Sequence, residues 1–189
     1  MRMKTPRVAP VPPENWTEEQ RSVIGDLRVN GRVLNIFKTL ANHPKLAKRW
    51  LVFANHIMGK SSLSLRDREI LILRIGWLCK SGYEWGQHVL IGLECGLDAA
   101  EIERIKQGAD GSGWTRAETL LLRATDELHA DAFITDTTWK GLAEFYSTEQ
   151  LLDIVFTVGQ YNLVSMALNT CGVQLDEGMT LDPQLCKYK

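Results

Sequence analysis

The segment from Leu65 to Cys79 constrains the fold more than any other part of the chain. Its apolar residues do not form a single stripe, because in the second half they cover most of the helix circumference: Leu65, Ile70, Leu71, Leu73, Ile75, Trp77 and Leu78. A helix that is apolar on several sides must be covered on several sides, since exposed apolar surface is unfavourable in water. The sequence therefore predicts a central helix surrounded by other elements.

Start and stop signals divide the remaining chain into further helices. Thr17 and Gln20 form a capping box, Pro44 suits a first helical position, and Gly96 suits a helix end. No segment alternates apolar and polar residues over the length of a strand. We therefore expect an all-α fold, with helices at about 17–28, 34–41, 44–58, 65–79, 83–95, 98–107, 115–130, 136–145 and 147–170.

Length and charge point to one ordinary globular domain. The 189 residues carry 22 Lys plus Arg against 23 Asp plus Glu, so the net charge of -1 is unlike the basic surface of a nucleic-acid-binding protein. Four prolines in the first 13 residues predict an extended arm over 1–16, lying on the body or on a neighbouring subunit. We expect the helical domain to span 17–175 and a tail to span 176–189.

The same sequence predicts the cellular location of the protein and the classes of partner that it does not bind. No uninterrupted apolar run reaches the roughly 18 residues of a membrane helix, and the first residues lack the apolar region of a secretory signal. We expect a cytoplasmic protein with no membrane partner and no nucleic-acid partner. The four cysteines form no CxxC and no zinc-like spacing with histidine, so no metal site is expected.

The strongest indication of chemistry is the stretch from Glu69 to His88. Glu84 and His88 are four residues apart on a predicted helix, so their side chains share one face. A short link between two packed helices would bring Glu69 to the same imidazole. Burial lowers a histidine pKa and a neighbouring carboxylate raises it, which predicts a group that titrates near neutrality and serves as a general acid or base.

A structural interpretation of the same residues stays open at this point. Glu84 and His88 could form an ordinary surface pair between successive helical turns. A carboxylate is rarely buried without a partner. Glu69 could therefore pair with Arg66, Arg68 or Arg74 instead of with His88.

The order Glu69, then an elbow, then Glu84-Trp85-Gly86-Gln87-His88 resembles the carboxymuconolactone decarboxylase family, which includes the alkylhydroperoxidase D-like proteins. The resemblance covers roughly residues 34–172. It implies a single-domain orthogonal helical bundle, a small-molecule substrate and a homo-oligomer (dimer, trimer or hexamer). In the peroxidase branch two cysteines occupy the positions of Ser81 and Glu84. Because this chain has neither thiol, that mechanism is not expected here.

The decarboxylase branch, which places a Glu four residues before the His, implies cofactor-free decarboxylation or proton transfer on a small carboxylated lactone or ring compound. In that comparison His88 donates the proton, Glu84 orients it or holds its charge, and Glu69 fixes the far ring nitrogen. Tyr83 is expected to donate to a developing oxyanion. Trp85 is a candidate for an aromatic pocket wall or for the core.

Two other functions compete with the decarboxylase-like one. The chain could be an antioxidant enzyme that uses Cys79 as a lone peroxidatic thiol, because Cys79 lies two residues before the family's first catalytic cysteine position. It could also be a non-catalytic oligomeric binding protein. The expected signature of that binding protein is a surface Glu84–His88 pair or a pocket closed by Trp85.

Overall fold

Nine α-helices form the part of the protein that the structure describes. The computed structural model describes residues 2–29 and 31–187, and within them no strands pair into a sheet. The helices are Glu18–Ile24 (α1), Asn35–Leu40 (α2), Pro44–Gly59 (α3), Leu65–Leu78 (α4), Gly82–Glu94 (α5), Ala99–Ile105 (α6), Arg116–Asp131 (α7), Asp136–Leu142 (α8) and Thr148–Cys171 (α9). The all-α prediction is confirmed, with shorter ends for α1, α6 and α8.

Helix α4 is the centre of the bundle, as its apolar circumference predicts. All nine residues from Arg68 to Gly76 are buried, and α4 packs against α5, α7 and α9. Only its N-terminal Leu65 departs from the expectation, with 58% of the residue exposed. Because α4 is covered on several sides, polar side chains on it can reach only other protein groups or an internal cavity.

Local side-chain contacts begin and end the main helices. The Ser64 hydroxyl caps α4 by accepting from the Asp67 amide, and Ser147 with Gln150 forms a capping box at the start of α9. Helix α9 ends at Gly172, whose φ of 70° lies in the left-handed region that glycine adopts without a steric penalty.

Helix α9 is long and apolar. Its best 18-residue window has a mean hydropathy of 1.4, so by length and composition it could cross a membrane. However, 56% of that window is buried inside the protein, which is the property of a core helix.

The N-terminal arm lies on the body of its own chain. The amides of Arg7 and Val8 donate to the Cys171 carbonyl at the end of α9, and the Arg2 guanidinium donates to the Cys79 carbonyl. The predicted boundaries at 16 and 175 remain predictions. Residue 1 of the arm and residues 188 and 189 of the tail lie outside the described residues.

Candidate active site

A tight elbow joins α4 to α5 and sets the geometry of the site. Lys80 adopts a left-handed backbone conformation with φ of 53°, and the Ser81 amide donates to the Gly76 carbonyl at 3.0 Å. The chain therefore turns back, and α5 packs along α4. A side chain at Gly76 would contact Glu84, since an added Cβ would lie 3.5 Å from Glu84 Cγ.

The elbow brings both predicted carboxylates to the imidazole. Glu69 Oε2 lies 2.6 Å from His88 Nδ1, and Glu84 Oε1 lies 3.0 Å from His88 Nε2. The three residues are only 0%, 4% and 6% exposed, in the order Glu69, Glu84 and His88. Each ring nitrogen of His88 therefore faces its own carboxylate, and the pair is not on the surface.

Arg68 completes the buried cluster from the far side. Its Nε and Nη2 donate to Glu69 Oε1 at 3.0 and 2.9 Å, and its Nη1 donates to the Met58 carbonyl at 2.5 Å. Of the three arginines considered as partners for Glu69, Arg68 is the one in contact, whereas Arg66 and Arg74 pair with other carboxylates. Two cationic and two acidic side chains thus neutralise one another inside the bundle.

The prediction that His88 titrates near neutrality is wrong. Burial lowers its pKa, but the charges and hydrogen bonds of Glu69 and Glu84 together outweigh burial and raise the pKa to about 10. Burial likewise raises the pKa of Glu69, but the charges of His88 and Arg68 outweigh it and hold that pKa below its usual range. The prediction weighed a single carboxylate, whereas the fold supplies two.

Glu84 and His88 line a cavity of about 230 Å³ between α3, α5 and α9. Its walls are mainly apolar, and the Tyr161 ring contacts the His88 ring edge-on with centroids 4.9 Å apart. Glu69 does not line the cavity and lies behind the imidazole. The polar residues of the lining are Asn55, Tyr83, Glu84, Gln87, His88, Gln160 and Tyr161.

Of the other residues singled out from the sequence, one lines the cavity and the others do not. Tyr83 lines the cavity, but its hydroxyl donates to Asp176 at 2.5 Å and accepts from the Ile36 amide at 3.3 Å. Ser81 is buried at the start of α5, outside the cavity lining, and its hydroxyl has no partner among the residues the structure describes. Trp85 packs on Trp77 with ring centroids 5.1 Å apart and lines a different groove.

Cys79 is near the site in sequence but outside the cavity lining. Its thiol donates to Asn162 Oδ1 at 3.0 Å, and burial raises its pKa to about 11. Peroxide reduction needs an accessible thiolate. The structure therefore gives no support to the hypothesis of a lone peroxidatic thiol.

Several residues of the site do not follow from the sequence argument. Gln160 and Gln87 line the cavity, and Asp176 holds two of its lining side chains. Gln160 carried one usable signal, since it is a polar residue inside a long apolar segment. Asp176 carried none, because it lies in the tail, far from Tyr83 in sequence.

No group of three or more His, Cys, Asp or Glu side chains within residues 2–29 and 31–187 is arranged to hold a metal ion.

The sequence model of the carboxymuconolactone decarboxylase family matches residues 44–127, a range that includes Glu69, Glu84 and His88. Over this range the chain is similar to the family. The family includes enzymes, and the match covers α3 to α6 and most of α7. No curated protein matches its sequence.

Solved structures share the fold of this protein over nearly its full length. An alkylhydroperoxidase AhpD core protein from Ralstonia eutropha, described as an uncharacterized peroxidase-related protein, is 18% identical, with a TM-score of 0.78 over 90% of this chain and 92% of the other. A similar protein from Silicibacter is 18% identical, with a TM-score of 0.72 over 98% and 93%. A variant of the debrominase Bmp8, bound to 2,3,4-tribromopyrrole, is 14% identical, with a TM-score of 0.76 over 92% and 94%.

Proposed function

We propose that this protein is a cofactor-free acid–base enzyme. It removes and returns a proton at a carbon atom next to the carbonyl group of a small ring compound. One observation carries the proposal: the Glu84 carboxylate lines a small, mainly apolar cavity and is backed by the buried His88–Glu69 pair. The volume of about 230 Å³ suits a substrate smaller than a drug-sized ligand.

In this proposal Glu84, and not His88, exchanges the proton with the substrate. Both nitrogens of His88 already face carboxylates. Only Oε1 of Glu84 contacts His88, and no partner of Oε2 is found in the part of the chain that the structure describes. His88, held by Glu69, keeps the Glu84 carboxylate in place, so its second oxygen is available to a bound molecule.

The proposed step needs no co-reactant. Glu84 takes a proton from the carbon next to the carbonyl, the pair of that C–H bond forms the C=C bond of an enolate, and the carbonyl π pair moves to oxygen. Glu84 then returns the proton to the same carbon or to another carbon of the ring. A positioned general base contributes about 10²–10⁴-fold to such a step.

The family match favours decarboxylation as a second candidate reaction. On a carboxylated lactone, the C–C bond to the carboxylate would break and its electron pair would form the enolate as carbon dioxide leaves. The enolate carbon would then take a proton from the protonated Glu84, which regains one from water. The two reactions are distinguished by whether carbon dioxide is released.

The arrangement does not match the signature of a non-catalytic scaffold. That signature is a surface Glu84–His88 pair or a pocket closed by Trp85, but both residues of the pair are buried at the cavity and Trp85 faces another groove.

Hydrogen–deuterium exchange tests the proposal. The protein is incubated in D₂O with small lactones, cyclic ketones and carboxylated lactones, with exchange followed by proton NMR and carbon dioxide measured in parallel. We expect exchange with the wild type and a loss of about 100-fold or more in Glu84→Gln. Glu94→Gln, at an exposed glutamate of the same helix, is the matched control.

Two results would overturn the proposal. One is a wild-type protein that neither exchanges a proton nor releases carbon dioxide with any probe. The other is a folded Glu84→Gln variant, checked by circular dichroism, that keeps the wild-type rate.

A further inference from the structure

Gln160 is a buried residue whose side-chain amide has no partner among the residues that the structure describes. The residue is 5% exposed, lies on α9 and lines the cavity that Glu84 also lines. No hydrogen bond of its side chain is found to any residue in 2–29 or 31–187. Its amide atoms are also not among the fully buried, unpaired polar atoms of the described residues, so they keep accessible surface, and the residue lines the cavity.

An unpaired buried amide is unfavourable, because it has left water without gaining a hydrogen bond. Its partner must therefore come from what enters the cavity. Neighbouring polar groups are already engaged: the Tyr83 hydroxyl and Gln87 Nε2 donate to Asp176, and the Tyr161 hydroxyl donates to Met58 Sδ at 2.8 Å. Trp50 Nε1 also lacks a partner, but it is fully buried, so among the described lining residues Gln160 supplies a buried neutral donor that is not closed off.

We infer that Gln160 binds the substrate by donating its amide N–H to an uncharged carbonyl oxygen, and that the substrate is a small neutral carbonyl compound such as a lactone or a cyclic ketone. The inference rests on the proposed proton transfer and specifies its substrate class. Gln160 and Glu84 come from different helices, α9 and α5, and both line the cavity, so a donor and a base are available to the same bound molecule.

The charges around the cavity favour an uncharged substrate. Among the lining residues that the structure describes, none is Lys or Arg. The two cationic groups of the buried cluster, His88 and Arg68, already contact its carboxylates. A substrate carboxylate beside Glu84 would lack a counter-ion in an apolar surrounding, which is costly.

Cations do occur in an adjoining groove, whose lining shares Val29, Leu34 and Gln87 with the cavity. That groove is lined by Arg28, Arg32 and Lys38, but also by Asp176 and Glu177. They are not part of the cavity lining, so an anionic group could meet them only outside the cavity.

The same amide also suits the reaction. As the proton leaves carbon, negative charge develops on the carbonyl oxygen, and a donor already aimed at that oxygen binds the enolate more strongly than the ground state. Gln160 thereby takes the role that the sequence argument gave to Tyr83, whose hydroxyl proton is directed to Asp176.

Side-chain amide NMR tests the inference without requiring turnover. The ¹⁵N-labelled protein is titrated with γ-butyrolactone and, separately, with its carboxylated analogue 5-oxotetrahydrofuran-3-carboxylate. The Gln160 resonance is assigned by its loss in Gln160→Leu. We expect the lactone to shift this resonance and to bind Gln160→Leu about 3- to 10-fold more weakly, the effect of one lost hydrogen bond. Gln107→Leu, at an exposed residue outside the cavity lining, should bind as the wild type does.

We also expect the carboxylated analogue to bind at least about tenfold more weakly than the lactone, since it brings an unpaired charge to the cavity. An unmoved Gln160 resonance, equal lactone affinity in Gln160→Leu, or tighter binding of the carboxylated analogue would each overturn the inference. A wild type that binds the lactone through Gln160 but exchanges no proton with any probe counts against the proposed function alone. Exchange that depends on Glu84 but not on Gln160 counts against the inference alone.

Discussion

The carboxylate of Asp176 lies 2.5 Å from the hydroxyl oxygen of Tyr83, 93 residues earlier in the chain. The same Oδ2 accepts from Gln87 Nε2 at 2.8 Å, and Oδ1 accepts from the Asn35 amide at 2.8 Å. One residue of the tail therefore holds two residues of the cavity lining and the start of α2. Since charged acceptors make stronger hydrogen bonds than neutral ones, this contact ties the tail to the site.

We predict that Asp176→Ala lowers the free energy of unfolding by about 1–3 kcal/mol, because it leaves buried donors without an acceptor. The adjacent Glu177→Ala should cause no measurable change, since the Arg32–Glu177 ion pair is exposed. Urea denaturation followed by circular dichroism measures both. Equal urea-denaturation midpoints for Asp176→Ala and Glu177→Ala would contradict the prediction.

The stability of the protein should fall as the pH rises from 7 to 9. The pKa of His88 is raised to about 10 in the folded protein and is near 6.5 when unfolded, so in this range the folded state holds a proton that the unfolded state has lost. The stabilisation is complete below about pH 6.5 and disappears as the pH passes the folded pKa. The slope should approach, at most, about 1.4 kcal/mol per pH unit.

Urea denaturation at several pH values measures this slope, and His88→Gln should flatten it. The range stops at pH 9 because the pKa of Cys79 is also raised and adds a slope at higher pH. A wild type whose stability is constant from pH 7 to 9 does not fit the proposed cluster.

Glu69 should matter for folding more than any exposed glutamate. Glu69→Gln removes the charge that faces both Arg68 and His88 inside the bundle, and breaking a buried ion pair typically costs about 3–5 kcal/mol. Glu94→Gln, on the exposed end of α5, should be neutral. Thermal and urea unfolding check the difference, and a Glu69→Gln variant as stable as Glu94→Gln would show that the cluster does not stabilise the fold.

The Cys79 thiol should be unreactive in the native protein. Its hydrogen bond to Asn162 and its pKa of about 11 leave little thiolate at pH 8, whereas Cys186 is exposed. Titration with Ellman's reagent should give rapid labelling that falls by about one thiol in Cys186→Ser and does not change in Cys79→Ser, with Cys95 and Cys171 as partly buried thiols present in both variants. Rapid native labelling that depends on Cys79 would reopen the antioxidant hypothesis.

The helices could be predicted from local sequence, whereas the contacts between them could be predicted only in part. Caps and apolar patterns placed every helix, and the short α4–α5 link predicted that Glu69 would approach His88. The Trp85 side chain shows the limit: its helix was predicted, but the packing of α5 directs it to Trp77 and away from the cavity. Helical spacing gives the face of a residue relative to its neighbours, but not which face meets the core.

The sequence by itself determined the all-helical fold, the central position of α4 and the approach of Glu69 and Glu84 to His88, because these depend on contacts within a helix or across one short turn. The tertiary structure decided the charge of His88, the position of Glu84 at the cavity and the participation of Arg68, Gln160 and Asp176. Burial, pKa and an unpaired amide are properties of groups that meet through space, and α9 and the tail reach this cavity only when the chain is folded.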